Sequence, residues 1–164
     1  MIALLLAAAF TGCGTERVST KNLLDPGAAR LTAPTSATVE QLLTLRPPRW
    51  STRAPRHVVE RTVVVVDVEV LAFKSEADGD IHAIIRGAPG RVMIAELPLP
   101  GCVQASAYAR QMARARSTFL RLARAGVQRM RLTGVIFFDK LHGQVGAAPN
   151  GVELHPVLQV EALR

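Results

Sequence analysis

The sequence predicts a β-rich α+β domain in which five strands wind into a Greek-key barrel and one basic amphipathic helix lies between the third and fourth strands. Three observations predict it. From Thr62 onward, short β-branched or alternating runs recur between turn signals. A single stretch of helical periodicity interrupts them after the third run. Aromatic residues make up 4% of a chain that is 49% apolar, so the core must be built from Val, Leu, Ile and Ala, which suits small packed strands.

Val63 to Leu71 is the first strand, because its second half alternates as Val66, Asp67, Val68, Glu69 and Val70. A turn at Ala77-Asp78-Gly79-Asp80 leads into Ile81–Arg86, and Gly87-Ala88-Pro89-Gly90 turns the chain into Arg91–Leu97. Tyr108, Met112, Ala115, Phe119 and Leu122 then recur at spacings of four and three, with Ser106 as a cap and Gly126 as a stop. Met130–Phe138 and Val152–Ala162 follow as strands joined by the glycine-rich loop Leu141–Gly151. The order β-β-β-α-β-β is that of an OB-type barrel, a fold that leaves function open.

Residues 61–164 hold this domain. Ile2 to Phe10 is an apolar run too short to span a bilayer and suited to a signal h-region. Its end, Phe10-Thr11-Gly12-Cys13, resembles a bacterial lipoprotein box, although Phe10 stands where such boxes carry Leu and no Lys or Arg precedes the run. The resemblance makes residues 1–13 a signal segment with Cys13 as the lipidated residue. The protein is then extracytoplasmic, either secreted or anchored to a membrane through Cys13. Acylation of Cys13 leaves Cys102 as the one remaining thiol and excludes an intramolecular disulfide. With no base beside it in Pro98-Leu99-Pro100-Gly101-Cys102, that thiol reads as structural. Residues 14–60 hold half of the ten prolines and read as a flexible Pro/Ser/Thr/Ala-rich tether, with one docking turn at Val39, Leu42, Leu43 and Leu45.

The net charge of +7 is concentrated between Gln104 and Arg131, where Arg110, Arg114, Arg116, Arg121, Arg124, Arg129 and Arg131 stand without an acid. Such a block suits a polyanion or an anionic membrane, and equally a solvated helix face. No feature identifies a protein partner.

Two motifs in the barrel resemble the thermonuclease family, the staphylococcal-nuclease-like phosphodiesterases built on an OB barrel. One is Asp78-Gly79-Asp80 before the second strand; the other is Arg91-Val92-Met93-Ile94-Ala95-Glu96-Leu97-Pro98 on the third. Gln104-Ala105-Ser106-Ala107-Tyr108, opening the basic helix, extends the likeness across Thr62–Arg131. The resemblance implies metal ligation by Asp80 and Glu96 and phosphate binding by Arg91. Three departures stand out. Glu96 replaces the usual Asp, Leu99 follows Pro98 where the family carries a glutamate, and the second catalytic arginine has no counterpart unless Arg129 or Arg131 approaches. The segment after the fourth strand also resembles uncharacterised bacterial proteins ending in a His-Gly-Gln, Pro-Asn-Gly, Glu-Leu-His-Pro signature, here His142-Gly143-Gln144, Pro149-Asn150-Gly151 and Glu153-Leu154-His155-Pro156.

Asp80 and His82 are two apart, as are Glu153 and His155, so each pair points to one face of its strand. Phosphodiester hydrolysis needs a hard cation, positive charge for the transition state and a base to orient water. Ca²⁺ or Mg²⁺, or else Mn²⁺, would be held by Asp78, Asp80, Glu96 and His82. Arg91 would clamp phosphate, His142, His155 or Glu153 would replace the missing glutamate, and Asn150, Arg110 and Arg114 would bind nucleic acid. The plainer alternatives are a non-catalytic OB module that binds nucleic acid or glycan with Phe137 and Phe138 as a stacking platform, or an envelope lipoprotein whose polar cluster is structural.

Overall fold

The computed structural model of the protein describes residues 12–88 and 90–164, together with the backbone of Ala3–Leu5. The expected signal segment therefore lies largely outside the described residues. The described residues form seven strands: β1 (Ala3–Leu5), β2 (Thr35–Ser36), β3 (Val63–Ser75), β4 (Ile81–Arg86), β5 (Val92–Leu97), β6 (Arg129–Phe138) and β7 (Val152–Ala162). The helices are α1 (Val18–Lys21), α2 (Val39–Leu43) and α3 (Ala109–Arg124).

Five strands close a barrel in the order β3-β4-β5-β7-β6 and back to β3, with β5 and β7 parallel and the other neighbours antiparallel. This is the expected OB-type arrangement, with α3 between the third and fourth barrel strands. Closure depends on the length of β3. Its first half, Val63–Val68, pairs with β6, and its second half, Glu69–Ser75, pairs with β4, across an irregularity between Val70 and Ala72. The strand runs past the predicted end at Leu71 because Ala72–Ser75 keep partners in β4. β1 and β2 add to β3 in parallel outside the closed ring.

Alternation along each strand fills the interior with Val66, Val68 and Val70 of β3, Ile81, Ala83 and Ile85 of β4, Met93, Ala95 and Leu97 of β5, and Val152 and Leu154 of β7. Ala115, Phe119, Leu122 and Ala123 of α3 join this core, and Phe119 meets Phe73 edge-on at 5.5 Å between ring centres. The helix ends where Gly126 takes φ +78°. Ser106 stands two residues before the N-cap residue Tyr108, which has no side-chain cap of its own; the Ser106 hydroxyl accepts the Tyr108 N–H at 3.1 Å and donates to the Leu23 carbonyl.

Residues 14–60 are not a tether; they wrap the barrel and belong to it. Val39 and Leu42 of α2 enter the main core, and Leu23 and Ala28 pack with Val63 and Val135. Thr38 and Gln41 form a reciprocal capping box on α2. Arg17, in a left-handed conformation (φ 48°), donates twice to Glu60, at 2.7 and 2.6 Å, and both residues are buried. Glu60 also accepts the backbone N–H of Phe138, tying the segment to the end of β6. Composition alone could not reveal this, because the anchors are single buried residues separated by proline-rich stretches.

The cysteines also overturn an expectation. Cys13 and Cys102 form a disulfide across 89 residues. The Cys13 sulfur is therefore not free to carry a lipid thioether, and the expected membrane anchor at Cys13 is withdrawn. The physical reason is that residues 14–60 fold back on the barrel and bring Cys13 to the turn after β5, a long-range contact that no local motif encodes.

Candidate metal centre

The face of the barrel opposite the core carries the site. His82 and Glu96 are paired across β4 and β5. Ile94 and Ala95 of β5 pair with Glu153 and Leu154 of β7, so Glu96 and His155 come next along the two strands. The expected two-residue spacings hold: Asp80 lies on the side of His82, and Glu153 on the side of His155. Asp80 enters at the start of β4 from the turn Asp78-Gly79-Asp80. There the Asp78 carboxylate accepts the Asp80 N–H (3.1 Å), Gly79 takes φ +85°, and Asp80 accepts the Leu99 N–H at 2.7 Å.

His155 is the centre of the cluster and is fully buried. Its Nδ1 lies 2.9 Å from Glu96 and 3.4 Å from Glu153, and its Nε2 lies 3.6 Å from Asp80. Neither ring nitrogen makes a hydrogen bond, nor does Glu153 Oε1: the carboxylates stand close but out of line or out of range. A buried polar atom without a partner costs about 1–3 kcal/mol, so three of them at one point need a reason. A cation would answer for one of the two ring nitrogens, because one donor atom from each of Asp80, Glu96 and His155 lies within 4.8 Å of the others. The mixed carboxylate and imidazole set can hold a metal ion.

Electrostatics agree with a packed anionic cluster. Burial pushes the Asp80 carboxyl up to about 6 against the pull of His155. Burial and the Glu96 charge push Glu153 up to about 7. For His155, burial opposes the charged form, but Glu96 and Glu153 outweigh it and lift the imidazole to about 10. Burial likewise opposes ionisation of Glu96, yet His155, His82 and Lys21 hold its carboxyl well below the usual range. His82 is raised despite burial, chiefly by Glu96, and its Nδ1 stands 3.3 Å from both Glu96 and Glu76.

The wrapped segment closes this face. Lys21 and Arg17 lie over the Phe137 ring at 5.5 and 4.7 Å, and Phe137 in turn packs against His155. Between the segment and Asp80 lies a cavity of about 220 Å³ lined by residues that include Lys21, Asn22, Asp78, Asp80, Asp139 and His142.

Other expected site residues stand elsewhere. Arg91 is exposed and precedes β5, five residues from Glu96; at about 3.3 Å per residue it lies at the other end of the strand. Arg131 is paired with Asp67 at 2.7 Å, and Arg129 lines a cavity with Asp67 and Arg86, so neither supplies the missing second arginine. Asn150 is a structural clasp rather than a ligand-binding group: its amide donates to the Leu42 and Leu45 carbonyls and its oxygen accepts the Val152 N–H. Phe137 and Phe138 are both buried and offer no stacking platform. His142 is exposed at the cavity rim, and Arg110 and Arg114 are exposed on α3.

Arg116 was missed as a site residue. It donates to the Leu97 carbonyl at 2.6 Å and the Gly79 carbonyl at 2.9 Å, holding the Asp80 turn against the end of β5. Its signal was present, since it alternates with Met112, Ala115 and Phe119 on the buried stripe, away from the solvated arginines. Lys21 and Asn22 had no such signal inside a proline-rich stretch. Comparisons of the chain with protein-family models, curated proteins and solved structures find no match.

Proposed function

We propose that this protein is a metal-dependent phosphodiesterase acting on nucleic acid outside the cytoplasm, a thermonuclease-like barrel with a rebuilt site. The observation that carries the reading is the convergence of Asp80, Glu96 and His155 donor atoms within 4.8 Å around a buried imidazole that makes no hydrogen bond. Glu153 completes the anionic set. When bound, the metal would polarise the phosphoryl group and lower the pKa of water. Among Ca²⁺, Mg²⁺ and Mn²⁺, the imidazole in the donor set favours Mn²⁺.

The chain's own groups have the remaining roles. Glu153, poised up to about 7, accepts a proton in place of the missing glutamate, with His142 at the rim as the second candidate base. Arg116 positions the Asp78–Asp80 turn. Because it ties α3 to that turn, exposed Arg110 and Arg114 stand within two helical turns of the site and draw in the polyanion. The Cys13–Cys102 disulfide supports an oxidising compartment.

The test incubates the oxidised full chain with plasmid DNA, single-stranded DNA and RNA in Mn²⁺, Mg²⁺, Ca²⁺ or EDTA, beside Asp80→Ala. Cleavage that needs a metal and is lost in the variant is expected. A second reading is favoured by the wrapped segment, whose Lys21 and Arg17 cover the site: a non-catalytic OB module. Metal uptake without cleavage of any of the three substrates would select it.

A further inference from the structure

The wrapped segment contributes more than cover. In the cavity beside Asp80, Lys21 is the only Lys or Arg side chain among the described lining residues. Its ammonium donates to Asp139 at 3.1 Å and rests on the Phe137 ring. An ammonium has three donors, so one carboxylate leaves it capacity for another acceptor. Asn22, the next residue, is 3% exposed and lines the same cavity, and its side-chain oxygen has no hydrogen-bond partner. The cavity wall thus carries a fixed cation and, on the next residue, a buried acceptor without a partner, beside Asp80 of the metal-binding face.

Charge and size narrow the occupant. Glu16, Asp78, Asp80 and Asp139 repel an anion unless a dication neutralises part of the cluster, and then Lys21 provides positive charge that Arg91 and Arg131 stand too far away to provide. About 220 Å³ is below the range of drug-sized pockets and takes a phosphate with one sugar rather than a duplex. The buried acceptor calls for a hydroxyl donor on the same ligand.

We propose that this cavity is the substrate pocket of the metal centre and takes a sugar phosphate, free or at a strand end, with Lys21 donating to a phosphoryl oxygen and Asn22 accepting from a sugar hydroxyl. This rests on the metal-dependent reading above and adds the residues and ligand class it lacks. Cys13 in its disulfide and Arg17 in its buried pair with Glu60, both N-terminal to Lys21, anchor the segment that carries the two residues.

The experiment titrates the oxidised full chain first with Mn²⁺ alone, then, Mn²⁺-loaded, with inorganic phosphate and with ribose 5-phosphate by calorimetry. Lys21→Met should take up Mn²⁺ as the parent does but bind both anions at least about tenfold more weakly, with Lys21→Arg restoring most of the loss. Asn22→Leu should bring ribose 5-phosphate down to the affinity of phosphate and leave phosphate unchanged. A 5′-phosphorylated oligoribonucleotide that competes with ribose 5-phosphate places the pocket at strand ends; failure to compete restricts it to the free sugar phosphate. Failure to take up Mn²⁺ overturns the functional reading and this inference together. Mn²⁺ uptake with no anion binding, or with binding that Lys21→Met leaves unchanged even if it melts earlier, overturns this inference alone.

Discussion

Replacing Cys102 with Ser cuts the bond that pins the wrapped segment, and the structure sets the size of the effect. The disulfide closes a loop of 89 residues in the unfolded chain. The chain-entropy relation, −2.1 − 1.5R ln n, then gives about 15 cal/mol/K, or about 4 to 5 kcal/mol at 25 °C. For a protein of this size that corresponds to a drop of roughly 10–18 °C in Tm. The folded variant should keep its segment docked, because detaching it would break the buried bidentate Arg17–Glu60 pair, a loss of about 3–5 kcal/mol. Denaturant unfolding of the parent, of the parent with reductant and of Cys102→Ser should therefore show two matching, lowered midpoints beside the parent, with a steeper dependence on denaturant in the uncrosslinked forms as more surface is exposed. Peptide mapping without reductant should recover Cys13 and Cys102 in one fragment. A stability loss under about 1 kcal/mol would refute the reasoning, since the crosslink would then not constrain the unfolded chain.

Stability in EDTA should fall as pH rises from about 5 to about 9. Asp80 and Glu153 lie at about 6 and about 7 in the folded protein, above their ordinary 3.8 and 4.5, so their contribution is present below those ordinary values and is lost on the way to neutrality. His155, raised from 6.5 to about 10, loses its contribution over the following range, whereas that of Glu96, held low, is lost only in stronger acid. Saturating Mn²⁺ should reverse the slope, because the cation replaces those protons; melting curves across pH with and without metal decide it, and a rise from about pH 5 to 8 in EDTA would contradict the assignment. Asn150→Ala, which strips two hydrogen bonds from α2 and its following turn, should cost about 1–3 kcal/mol in denaturant unfolding and leave anion affinity unchanged; weakened phosphate binding would return Asn150 to the site. Gly151→Ala places a Cβ 2.6 Å from the Asp139 carbonyl oxygen at φ +73°, so a loss of about 2 kcal/mol or more is expected, and a neutral result by the same assay would mean that this loop relaxes freely.

Much of the architecture was legible before folding was considered, and for local reasons. Strand alternation, the Asp78-Gly79-Asp80 and Gly87–Gly90 turns and the apolar stripe of α3 are short-range patterns, so element order and the OB-type closure followed from them. The pairing of side-chain directions was legible too: a period of two placed His82 with Asp80 and His155 with Glu153. Arg91 misled because sequence likeness ranks residues by motif position, whereas its distance from Glu96 is set by strand rise.

By itself, then, the sequence determined the barrel, its helix and the face that carries Asp80, His82, Glu96, Glu153 and His155, because backbone periodicity and turn chemistry act over a few residues. Only the tertiary structure decided that residues 14–60 are part of the domain, that Cys13 pairs with Cys102, and that Lys21 and Asn22 line a cavity with Asp80. Each of these depends on a contact between residues tens of positions apart, specified by burial and complementary charge and not by any local pattern.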